Sequence, residues 1–95
     1  MRIDLDGVPL KDPNGRVLCI FRFRTLEGIV FALPESVDVT VPWEAIENAV
    51  LDLASGGIRV DFRAGVSARP GWLGEFSSLE GQWTDRALLV EAPQK

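Results

Sequence analysis

The residues best equipped to do chemistry in this chain are two aspartates in IDLDG (3–7), a lone cysteine at position 19 and the FRFR run of 21–24. Asp4 and Asp6 before Gly7 have the spacing that opens a calcium loop. The later ligand positions fall on Val8, Pro9 and Leu10, so solvent-facing acids at a strand end account for them better. Cys19 falls on the apolar face of a strand, where a free thiol behaves as a small hydrophobe. Arg22 and Arg24 are the cations that could activate it, and period-two geometry puts them on the opposite face. The same alternation separates Phe21 and Phe23 from both arginines. FRFR therefore does not assemble the mixed stacking and cationic surface that grips single-stranded nucleic acid. The arginines are expected to pair with Asp38, Asp61 or Glu27 on neighbouring strands.

What is missing narrows the chemistry further. The 95 residues contain no histidine and no tyrosine. Ser-His-Asp and Cys-His nucleophilic arrangements and imidazole-ligated zinc are therefore closed. General acid–base work would fall to carboxylates, lysine or the one thiol. The glycines form neither G-x-G-x-x-G nor a phosphate loop ending in Gly-Lys-Ser. We expect no catalytic residues, no cofactor, no metal and no enzyme. A net charge of −4, from ten basic and fourteen acidic residues, discourages a long phosphate backbone as partner. No apolar run reaches the roughly 20 residues of a spanning helix, and MRIDLDG lacks the apolar core of a signal peptide. With a single cysteine, a reducing cytoplasm is the simplest compartment.

The elements that must position these residues read mainly as strands in one domain, 1–95, with 46% hydrophobic and 25% charged residues. Ile3 and Leu5 alternate with acids into Gly7. DPNG (12–15) is a strong turn, and RVLCIFRFR (16–24) a strand with Val17, Cys19, Phe21 and Phe23 on one face. Glu27-Gly28 turns the chain into IVFAL (29–33). VDVTV (37–41) alternates with its valines inward, and IRVDFR (58–63) places Ile58, Val60 and Phe62 inward. ALLVEA (87–92) is a candidate closing strand.

Residues 42–57, PWEAIENAVLDLASGG, support two structures. As a helix, Pro42 suits the first turn, and Trp43, Ile46, Val50 and Leu53 make one apolar stripe. As β structure, a short turn leads into NAVLDLA and a hairpin loop at SGG. Local propensity favours the helix.

ARPGWLGEFSSLEGQW (68–83) crowds Trp72, Leu73, Phe76, Leu79 and Trp83 into a glycine-punctuated connection. Residues 67–86 are expected as a loop or short helix packed on the sheet, and Ser77-Ser78-Leu79-Glu80 has the capping-box pattern of a helix start. The segment can be a lid that plugs a small barrel. It can also be a docking surface, since tryptophan beside Arg69 and Arg86 has hot-spot composition. The candidate protein-interaction residues are thus Trp43, Arg69, Trp72, Leu73, Phe76, Trp83 and Arg86.

Two pieces, GVPLKDPNGRVL (7–18) and VTVPWEAIENAVLDLASGGIRVDFRAGV (39–66), resemble the PRC-barrel domain of ribosome-maturation factors and a photosynthetic reaction-centre subunit. The resemblance implies a non-catalytic module that docks onto proteins without a cofactor, and it favours strand over helix for 48–54. The glycine which that family carries soon after the turn is replaced by Cys19, and the tail from Ser67 to Trp83 has no counterpart. A pleckstrin-homology-like roll is the rival resemblance. The expected molecule is a small antiparallel β-barrel or roll with one or two short helices, with an α+β fold as the alternative. Its expected role is protein interaction or assembly, with self-association through uncovered apolar faces. Two other roles compete. One is a ligand-sensing domain using Arg22, Arg24 or Arg69 to hold a small anion; the other is an acidic inhibitor or immunity-type protein.

Overall fold

The computed structural model describes residues 5–85, which form seven antiparallel strands and three single 3-10 turns. The strands are β1 (Val8–Lys11), β2 (Val17–Arg24), β3 (Gly28–Ala32), β4 (Asp38–Pro42), β5 (Ile46–Asp52), β6 (Gly57–Phe62) and β7 (Ser78–Gln82). They lie in one sheet in the order β4-β3-β2-β1-β7-β6-β5. The edge strands β4 and β5 are consecutive in the chain, joined only by the 3-10 turn Trp43–Ala45. That short link forces the sheet to coil until its two edges approach each other. No ladder joins them among the described residues, so the result is a mainly β roll rather than a closed barrel.

Local chemistry sets the first hairpin. The Asp12 carboxylate accepts the N–H groups of Asn14 at 2.8 Å and Arg16 at 3.0 Å, and Gly15 supplies the positive φ that DPNG requires. Close strand approach fixes two other glycines. A Cβ on Gly28 would strike the carbonyl of Val41 in β4, and one on Gly81 would strike the carbonyl of Pro9 in β1.

Residues 42–57 are not a helix. Pairing of Ile46 with Phe62 through to Asp52 with Gly57 overrides local propensity, because this ladder seats Ile46 in the core beside Ile58, Val60 and Phe62 of β6. The hairpin turn is capped by Asp52, whose carboxylate accepts from Ala54 N–H and the Ser55 hydroxyl, both at 3.0 Å. Of the expected helical stripe, Ile46 is buried, while Trp43, Val50 and Leu53 are exposed. Ser77–Glu80 likewise starts no helix. Leu79 pairs with Val60 in the core, and Gly81 is needed where β7 meets β1. Ile3, Asp4, Arg86 and the candidate strand 87–92 lie outside the described residues.

Candidate functional site

Within β2 the strict alternation fails at one point. Phe21 pairs with Phe31, yet Phe23 pairs with Val30, so Arg22 is an extra residue against β3. This bulge throws Phe23 onto the outer face, where it is 46% exposed, and turns Arg24 onto the face of Phe21. The aromatic and cationic residues of FRFR are therefore not cleanly segregated as the alternation implied. Arg22 is held by Asp6 at 2.6 Å and by Asp38 at 3.6 Å, the latter an expected partner.

The turn after β2 is tightly built. Thr25 Oγ1 accepts the N–H groups of Glu27 and Gly28, and Thr25 N–H donates to the Gly28 carbonyl at 2.8 Å. Trp43 braces the turn from β4's end: its backbone N–H donates to the Glu27 carbonyl, and its indole Nε1 donates to the Thr25 carbonyl at 3.0 Å. At the tip of this fixed structure Leu26 is 100% exposed, with Trp43 beside it at 38%. Glu27, Glu44 and Glu47 stand on the same turn, the 3-10 turn and the start of β5. None of the three has an ion-pair partner among the described residues.

Arg24 opens into an apolar cavity of about 120 Å³, lined by Leu5, Phe21, Ala49, Leu51, Ile58 and Val60 among others. Small-molecule pockets usually measure about 300–1,000 Å³. This one has room for a single side chain.

The aromatic segment is mostly packed inward. Leu73 is fully buried, and the Trp72 ring meets Phe31 at 5.8 Å and Phe62 at 6.4 Å, both edge-on. Phe76 and Trp83 are half-buried against the same core, and Trp83 N–H donates to the Gly56 carbonyl at 2.9 Å. The Arg69 guanidinium donates to the carbonyls of Arg63, Gly74 and Phe76 and so closes the loop on itself. Of the expected interaction residues, Trp43 alone sits on the turn-end patch, joined there by Phe23 and Leu26. Sequence reasoning missed those two. Leu26 carried a signal, an aliphatic residue directly before a Glu-Gly turn, but Phe23 depended on an invisible bulge.

Cys19 is buried in the core, and loss of hydration pushes its thiol up to about 12. It is not poised for reaction. Among the described residues no group of three or more Asp, Glu or Cys is placed to hold a metal ion, and no helix is long and apolar enough to cross a membrane.

Fold and site together define a small antiparallel β roll with an ordered, exposed apolar end. Comparison with protein-family models, curated proteins and solved structures finds no match for the chain.

Proposed function

We propose that this protein is a non-enzymatic interaction or assembly module that works in the cytoplasm and docks through Phe23, Leu26 and Trp43. Leu26 carries the proposal. Burying a leucine side chain is worth about 1.5–3 kcal/mol, and here that gain is forgone on a turn held rigid by six hydrogen bonds. A pre-ordered apolar tip beside a tryptophan loses little entropy on docking, which is how interface anchors gain affinity. The PRC-barrel resemblance of 7–18 and 39–66 points the same way, since those pieces supply β1, the first two residues of β2 and the β4–β6 run.

Replacing Leu26 with a photoreactive amino acid, and Glu35 in a separate exposed turn as control, tests the proposal. We expect one discrete adduct from position 26 in an extract of the native host and none from position 35. No adduct at 26, or the same products from both positions, would overturn it.

Glu27, Glu44 and Glu47, without ion-pair partners among the described residues, give the acidic-inhibitor reading a specific footing at the same end. It requires a basic target, so the adduct from position 26 should fade as salt rises. An adduct indifferent to salt removes it.

A further inference from the structure

Among the described residues the β5 strand next to this patch is an open edge. Only β6 pairs with it, so alternate N–H and C=O groups of Glu47–Asp52 lack a strand partner among the described residues. Natural edges are usually blunted by lysine, proline or a mid-strand bulge. The other edge, β4, ends in Pro42, and its Asp38 is held by Arg22. In β5 the bulge is confined to Glu47, and Asn48–Asp52 contain neither proline nor a basic residue. The centre, Ala49-Val50-Leu51, is apolar, and Val50 is 46% exposed.

From these features we infer that β5 accepts an extended segment of a protein partner as an added strand, with an apolar centre flanked by a basic residue at each end. This rests on the interaction reading above and names the chemistry of the partner. Strand addition draws affinity from main-chain hydrogen bonds and specificity from pockets for alternate side chains. Ala49 and Leu51 point to the face that holds the 120 Å³ cavity, so one inward side chain of an added strand has a socket ready. Charge selects the ends. Glu47, with Glu44 close by in the chain, marks one end, and Asp52 marks the other. Hydrogen bonds from Ser55 and Ala54 hold the Asp52 carboxyl below the usual range and keep it anionic.

A second copy of this chain is the poorer occupant. Antiparallel self-pairing that uses all of Glu47–Asp52 places Glu47 opposite Asp52 at both ends, acid against acid.

The test uses the full chain and a fluorescent seven-residue probe of alternating valine and threonine, with lysine at each end. Controls carry glutamate at each end, or the lysine ends with alternate amides N-methylated. Fluorescence anisotropy should show saturable binding of the lysine-ended probe, at least tenfold tighter than the glutamate-ended one. N-methylation should abolish it, and Val50→Lys, an exposed change, should weaken it at least tenfold. Absent binding, equal affinity for both charge types, or binding that survives N-methylation overturns the proposal. If Val50→Lys leaves the photo-adduct at position 26 intact, the interaction reading stands and only the added strand falls.

Discussion

The indole nitrogen of Trp43 donates to the carbonyl oxygen of Thr25 at 3.0 Å, tying residues eighteen apart in the chain into one exposed end. Trp43→Phe keeps a ring but removes this donor. A stability loss of about 1 kcal/mol is expected in urea unfolding. Leu26→Asp touches nothing in the fold and should change stability by less than about 0.5 kcal/mol, while adducts from a photoreactive residue at position 23 disappear.

Arg69 ties its own connection together. Its guanidinium reaches three carbonyls of the 63–77 connection, so Arg69→Ala should cost about 1.5–3 kcal/mol. Arg69→Lys should recover little, because an ammonium cannot span the same fork. Equal stability of wild type and Arg69→Ala in chemical denaturation would contradict this.

Trp72 fills the roll between Phe31 and Phe62, and truncation leaves a void. Trp72→Ala is expected to destabilise by about 3 kcal/mol, Trp72→Phe by less than half of that. An unchanged melting midpoint for Trp72→Ala would show that the ring is not part of the core.

The buried thiol of Cys19 gives a pH signature. Its folded value of about 12 exceeds the unfolded value of 9.0, so folding is favoured fully below pH 9. That contribution is lost as pH rises from 9 toward 12, because the unfolded chain releases its proton first, with a slope of at most about 1.4 kcal/mol per pH unit. Cys19→Ala should show a shallower alkaline decline than wild type. Native protein should also resist thiol alkylation at neutral pH until denaturant is added.

Much of the sheet was legible because its turns are chemically explicit. Asp12-Pro13-Asn14-Gly15 and the alternation of Ile58, Val60 and Phe62 behave as their residue types demand. Two features were less plain. In 46–52 the SGG hairpin loop after NAVLDLA signalled a strand while local propensity favoured a helix, and tertiary pairing with β6, which covers Ile46, decides for the strand. The bulge at Arg22 adds one residue against β3, which no periodicity reveals, and it decides that Phe23 faces solvent and Arg24 the cavity. The aromatic segment stayed divided for a related reason: composition cannot distinguish a plug from a docking surface, and only the packing shows Leu73 buried and Trp72 against Phe31 and Phe62.

The central claim is that partners meet this protein at the β2–β3 turn and the β5 edge, while the aromatic connection serves as a lid. Amide chemical-shift mapping of the full chain, titrated with the lysine-ended probe, tests this most directly. The account predicts the largest shifts at 47–51 with smaller ones at 25–28. Shifts centred on 67–77 with 47–51 unmoved would contradict it.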